Sequence, residues 1–217
     1  MIWRFRDRRD AGRQLAAKLE AYARRTDVVV LALPRGGVPV GYEVAHALDA
    51  PFDVVTVRKL GVPDQPELAM GAIASGGATF LNKGVLSAKR VTDDAMRKVE
   101  KRERAELDRR EKLYRGTRPA LEIRGKTVIL VDDGIATGAS MHAAIMALRS
   151  RLPARIVIAV PVAPADVMAR LEQAADELVC VLTSVEFFAV GQFYRDFDPT
   201  TDADVRRLLD EARKAPA

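Results

Sequence analysis

The feature that most constrains this chain is one stretch, Val128-Ile129-Leu130-Val131-Asp132-Asp133-Gly134-Ile135-Ala136-Thr137-Gly138-Ala139-Ser140. Its first four residues are apolar and mostly β-branched, the pattern of a strand buried on both faces. Such a strand needs parallel neighbours and helices over both sides of the sheet, so the stretch alone selects an α/β architecture. The strand ends in two adjacent carboxylates. It then crosses a loop bounded by Gly134 and Gly138 and opens a helix with Thr137 and Ser140 near its start.

Open α/β sheets take ligands in the crevice outside the C-terminal ends of their parallel strands. Glycines let the backbone approach a ligand closely, the free N–H groups of a helix start attract an anion, and two hydroxyls add donors for phosphate oxygens. Asp132 and Asp133 only accept hydrogen bonds when ionised, so they suit a vicinal diol or a cation instead. The loop thus describes a ligand with a phosphate a few ångströms from a diol, such as a ribose 5-phosphate. No Lys-Ser/Thr pair follows Gly138, which excludes a Walker P-loop, and the glycine interval excludes the dinucleotide fingerprint. The flanks lack the apolar segment of a membrane Gly-x-x-x-Gly motif. An incidental strand–helix turn is the bland alternative. Two repelling acids at a strand end argue against it.

The rest of the chain fits this frame. Val28–Leu33 and Asp53–Val57 read as strands, as do Ile156–Val162 and Leu178–Leu182. Helical spacing covers Gln14–Ala23, the residues after Gly37 (Val40, Val44, Leu48), Thr137–Arg149, Ala165–Ala175 and Asp202–Arg213, with Thr201 as N-cap of the last. Arg58–Pro66, broken by Gly61, Pro63 and Pro66, reads as a loop, and Met70–Ala74 with Ala78–Leu81 as a hairpin around Ser75-Gly76-Gly77. Thr92–Arg115 is nearly all charged, with Glu100/Arg104, Glu106/Arg110, Asp108/Lys112 and Glu111/Arg115 spaced to pair on a long helix. Its thin apolar stripe (Met96, Val99, Leu107, Tyr114) either rests on the body or makes a homodimer. The expected whole is a single domain, with a core over about residues 28–183 and a small hood from about 1–25 and 184–217.

Residues 1–25 hold eight basic side chains against three acidic ones, which accounts for the whole net charge of +5. A basic arm can serve nucleic acid, rim a polyanionic ligand, or be a solvated helix face; the lack of interleaved aromatic residues weighs against nucleic acid. No apolar run approaches the ~20 residues of a membrane span, and Met1–Asp10 lacks the apolar segment of a signal peptide. The lone Cys180 lies in an apolar strand and reads as a buried, inert thiol, so a disulfide framework is excluded and a cytoplasmic setting expected.

With these residues in view, Val128–Ser140 resembles the signature of the type I phosphoribosyltransferases, and the resemblance extends over about Val28–Val162. It implies the family's parallel-sheet core with helices on both faces, a hairpin or flexible flap, and a hood. It also implies binding of 5-phosphoribosyl-1-pyrophosphate with Mg²⁺ and transfer of its ribose 5-phosphate to a nucleobase-like acceptor, with loss of pyrophosphate. Asp132 and Asp133 would then hold the ribose diol, and Gly134, Ile135, Ala136, Thr137, Gly138, Ala139 and Ser140 the 5-phosphate. Pro34-Arg35-Gly36-Gly37 resembles the family's pyrophosphate loop, often with a cis peptide, so Arg35, Gly36 and Gly37 would grip the diphosphate. Arg58-Lys59-Leu60-Gly61-Val62-Pro63 resembles the flap of some members, with Arg58 and Lys59 covering the pyrophosphate.

Phe187-Phe188-Ala189-Val190-Gly191 and Asp196 resemble the base pocket of hypoxanthine-guanine enzymes, with Phe188 stacking on the base and Asp196 meeting magnesium. The alternative for the two phenylalanines is an ordinary core position. Trp3 and Phe5, apolar residues on the charged arm, would pack into the same hood. Departures from the family pattern at Ala159–Ala163, at Ala74-Ser75-Gly76 and at Ala136 argue that the acceptor is neither classical purine. The rival reading is a regulator that senses the phosphoribosyl ligand or nucleotides and binds nucleic acid through the basic arm.

Overall fold

The computed structural model describes residues 4–214. Trp3 therefore lies outside the described residues. Strands β1 (Val28–Ala32), β2 (Phe52–Val54), β6 (Thr127–Val131), β7 (Arg155–Pro164) and β8 (Glu177–Ser184) form a parallel sheet in the order β2-β1-β6-β7-β8. A smaller antiparallel sheet joins β3 (Val57–Val62), β4 (Gln65–Ala74) and β5 (Ala78–Leu81). The helices are α1 (Arg8–Ala17), α2 (Gly37–Leu48), α3 (Lys83–Ala88), α4 (Asp93–Arg115), α5 (Ala139–Arg149), α6 (Ala165–Leu171) and α7 (Asp202–Lys214).

The period-two geometry of the strands divides the core into two layers. Val28, Val30, Ile129, Val131 and Val157 face α1, α2 and α7, whereas Val29, Leu31, Val128, Leu130 and Ile158 face α5 and α6. All are buried, each stabilising the fold by ~1.5–3 kcal/mol relative to an exposed position. Register then positions the site. Ala32 pairs with Val131, so β1 and β6 end level and their following loops meet, while β7, level with them at Ala159, runs on to Pro164.

Three expectations change. The segment read as a loop at Arg58–Pro66 is instead most of a hairpin, because Leu60 and Val62 bury their side chains alternately and Val62 pairs with Gln65 across a Pro63-Asp64 turn. Gly61 marks a register irregularity in β3, where a Cβ would collide with the Pro66 backbone. The first helix starts earlier than expected: Asp7 caps α1 by accepting from Asp10 N at 2.8 Å, and the chain after Ala17 tightens into a 3-10 turn at Glu20–Tyr22. The sixth helix ends at Leu171.

The long charged helix is present as α4, capped by Thr92 and carrying the 2.8 Å Arg104–Glu100 pair. Its stripe is used inside the chain. Val99 and Leu107 pack on the small sheet, while Tyr114 enters the main core and donates to Asp202 at 2.7 Å. Arg115 is buried with Asp53 at 2.9 Å and pins α4 to β2.

The termini meet as a hood. Phe5 N donates to Phe193 O, and Arg195 N to Phe5 O, at 2.8 and 2.9 Å. Phe5, Phe193 and Tyr194 form its core, with Phe187, Val190 and Phe197 against them. Among the described residues no helix is long and apolar enough to cross a membrane.

Candidate functional site

Two loops converge at the C-terminal edge of the sheet. The loop after β6 carries Asp132 and Asp133, and the loop after β1 carries Arg35, Gly36 and Gly37 behind a cis Pro34–Arg35 peptide. A Cβ on Gly36 would overlap the Asp133 carboxylate, and one on Gly37 would lie 2.8 Å from Asp132 Cα. Only glycine lets these loops touch. The acid pair and the Arg35–Gly37 loop therefore lie side by side.

Farther along, Ile135 N donates to Val162 O at 2.9 Å and ties the phosphate loop to β7. Gly138 adopts φ 78°, and any side chain there would also press on Val167, so this turn requires glycine on two counts. Helix α5 begins only at Ala139, which leaves Thr137 and Gly138 in the loop and the helix's first N–H groups at its mouth. Ala136, Thr137, Ala139 and Ser140 are all exposed.

The acids sit in an expensive environment. Burial, then the neighbouring charge of Asp133, pushes the Asp132 carboxyl well above the usual carboxylate range. Burial also raises Asp133, opposed chiefly by Arg8. Arg8 Nε donates to Asp133 Oδ2 at 2.8 Å, both side chains being only 12% and 14% exposed. The same guanidinium donates to Asp198 O at 2.7 Å and lies 3.9 Å over the Phe197 ring. Tyr194 Oη donates to the Asp133 carbonyl at 2.5 Å, and burial raises the pKa of its hydroxyl. Sequence reasoning missed Arg8, Phe197 and Tyr194. Arg8 is one arginine among several in the arm, and no local pattern distinguishes it.

The remaining expected residues are more dispersed. Arg35 is exposed, with Nη1 3.8 Å from Asp202 at the start of α7. Arg58 is held by Glu103 of α4 at 2.6 Å, so a carboxylate on the long helix fixes that flap cation. Lys59 borders two cavities of about 570 and 550 Å³ on either side of the flap hairpin; Thr137, Gly138 and Ala139 line the first and Ser140 the second.

Phe187 packs in the hood, 5.2 Å from the Phe193 ring centroid, whereas Phe188 is 91% exposed. The core alternative therefore holds for Phe187 and not for Phe188. Asp196 is exposed on the hood and accepts from Asp198 N at 3.2 Å. It does not join Asp132 and Asp133 in a metal cluster: among the described residues no three His, Cys, Asp or Glu side chains gather to hold an ion. The oxygen pair Asp132/Asp133, short of positive charge apart from Arg8, does fit a magnesium ion that takes its other ligands from substrate oxygens and water. Cys180, whose thiol burial pushes up to about 11, is unsuited to nucleophilic work.

Comparison with known proteins gives the family of the chain. The family model described as "Phosphoribosyl transferase domain" matches residues 5–197. Rv0571c of Mycobacterium tuberculosis H37Rv, provisionally named a phosphoribosyl transferase, is 49% identical over 210 residues, covering 97% of this chain and 47% of that protein. Its counterpart MT0597 in strain CDC 1551 matches to the same extent, so the chain spans about half the length of these curated relatives. The crystal structure of TT1426 from Thermus thermophilus superimposes with a TM-score of 0.87 at 44% identity, over 96% of this chain and 98% of that one.

Proposed function

From the premise that this chain belongs to the phosphoribosyl transferase domain family, we propose a specific activity. The chain transfers the ribose 5-phosphate of 5-phosphoribosyl-1-pyrophosphate to a nucleobase-like or other nitrogen acceptor, with Mg²⁺ present and pyrophosphate released. The observation that carries this reading is the contact of Gly36 and Gly37 with Asp133 and Asp132. That contact supports reading the Arg35–Gly37 loop as the diphosphate grip, with the two acids beside it as acceptors for the diol.

In this reading Asp132 and Asp133 accept from the ribose hydroxyls. A carboxylate offers about four acceptor positions, so Asp133 can serve a hydroxyl while keeping Arg8. Backbone N–H groups of Gly134–Ser140 and the Thr137 hydroxyl orient the 5-phosphate. Arg35 and the amides of Gly36 and Gly37 take the diphosphate, and Lys59 lies over it when the flap closes, Arg58 joining it only by leaving Glu103. Magnesium, when bound with the donor, would offset the charge of the leaving pyrophosphate. The protein's own contribution is to align C1 with the acceptor, stabilise the oxocarbenium-like transition state by fixed charges, and exclude water.

The test is pyrophosphate release in a screen of nucleobases, paired with calorimetry of donor binding. Asp133→Asn combined with Thr137→Ala removes a charged acceptor and a donor, each contributing ~1–3 kcal/mol. Donor affinity should fall about thirtyfold or more; unchanged affinity in a folded double variant would refute the site. Salt-dependent retention of DNA or RNA without turnover would favour the nucleic-acid-binding regulator instead. The arm weighs against that rival, since Arg8, Arg9, Arg13 and Arg25 are each paired with a carboxylate.

A further inference from the structure

The cavity of about 570 Å³ meets the reaction described above only at Lys59 and at the Thr137–Ala139 end of the loop read as the 5-phosphate cradle. It lies between β4 and β5 of the small sheet and the facing sides of α5 and α6. Thr137, Gly138 and Ala139 close one end of it, so a phosphate seated on that loop is continuous with the cavity.

The volume falls within the ~300–1,000 Å³ of small-molecule sites, and a single phosphate fills only a corner of such a space. The remaining walls are mostly apolar, from Leu68, Phe80, Val85, Met146, Val167 and Leu171. Phe80 offers a ring for a flat group to stack on. Polar groups at the cavity come from Lys59, Asn82, His142 and Arg170. His142, Ala143 and Met146 occupy neighbouring positions on one stripe of α5, so the helix that would cradle the phosphate also lines the space beyond it. A ligand ending in a free 5-phosphate leaves this apolar volume empty.

We propose that the cavity receives a group attached beyond the 5-phosphate, so that the site also takes ribosyl ligands whose phosphate bridges to a flat, largely apolar group. The ligand class is a ribose 5-phosphate joined through a pyrophosphate or phosphodiester to a heterocycle-bearing unit. Arg170, which pairs with the exposed Asp166 at 3.0 Å, lines the cavity and suits the second phosphate, and the Phe80 ring suits the heterocycle. This inference rests on the reading of Gly134–Ser140 as the 5-phosphate cradle.

The experiment compares ribose 5-phosphate with ADP-ribose by calorimetry on the full chain. ADP-ribose presents the same sugar phosphate with a pyrophosphate-linked adenosine beyond it. The expected result is at least tenfold tighter binding of ADP-ribose. Filling the cavity with Ala143→Phe, or from another element with Val85→Trp, should erase that advantage and leave the ribose 5-phosphate affinity within twofold of the parent. Retained ribose 5-phosphate binding also reports that each variant is folded. Equal or weaker ADP-ribose binding by the parent chain, or an advantage that survives in a folded variant, overturns the extension alone. Failure of the parent to bind ribose 5-phosphate overturns both the extension and the cradle reading beneath it.

Discussion

Removing Arg8 exposes what the acid pair costs the fold. Arg8→Ala deletes the 2.8 Å bond to Asp133, the 2.7 Å bond to the Asp198 carbonyl, and the stacking on Phe197. Breaking a fully buried ion pair by removing one partner costs ~3–5 kcal/mol. Here the side chains are 12% and 14% exposed, so water reaches the orphaned carboxylate and the cost drops to about 2–3 kcal/mol. The lost cation–π contact adds ~0.5–1 kcal/mol. The total of roughly 2–4 kcal/mol corresponds to a Tm about 4–16 °C lower for a domain of this size.

The pH dependence carries the sharper test. Burial already raises Asp133 and Arg8 lowers it, so without Arg8 its folded pKa climbs further above the unfolded value. The folded variant then holds a proton that the unfolded chain releases, and its stability falls as pH rises from the ordinary carboxylate range through the raised pKa. The penalty should therefore be largest at pH 7–8 and shrink toward pH 5, as read by thermal melts of parent and variant across that range. A penalty below about 1 kcal/mol, or one independent of pH, would refute the argument that Arg8 exists to compensate Asp133.

Three further outcomes follow from the same geometry. Asp132→Asn removes a carboxylate that burial and its neighbour push upward, so it should raise Tm at pH 7 by a few degrees while abolishing transfer; a lower Tm would contradict the burial argument. Lys59→Ala should lower kcat about tenfold or more with little change in donor affinity, and hydrogen exchange across residues 58–67 should slow when donor binds. Equal exchange with and without donor would show that the hairpin is not a closing flap. Phe188→Ala should raise the acceptor KM severalfold, from the ~1–3 kcal/mol of a stacked ring, and leave donor affinity and Tm unchanged because the side chain is 91% exposed. A fall in donor affinity would move the acceptor pocket elsewhere.

What the sequence revealed and what it concealed divide along the range of the interactions. The strand, the acid pair and the phosphate loop were legible because every determinant of Val128–Ser140 lies within one strand–loop–helix unit. The tight turn at Pro34–Gly37 was legible for the same reason, although its contact with the acids depends on β1 pairing with β6. The flap misled because Gly61, Pro63 and Pro66 usually break strands, whereas here they mark an irregularity and the flank of a turn. The partner of Arg58 was hidden for a different reason: only the return of α4 brings Glu103 to it.

Arg8 was invisible for a deeper reason. Two adjacent carboxylates at the end of a buried strand repel each other and lose hydration, so a chain that keeps them needs a cation, and the strand's own neighbourhood offers none. The hood supplies it. Phe5 pairs with Tyr194 and brings the arm over the sheet edge, Phe197 backs the guanidinium, and Arg8 reaches Asp133 across 125 residues of sequence. Much of the basic excess of the arm then resolves residue by residue, with Arg8 on Asp133, Arg9 and Arg13 on Glu43, and Arg25 on Asp27. Of the arm's charges it is Arg8 that is tied to the acid pair, where its guanidinium opposes the effect of burial on the Asp133 carboxyl.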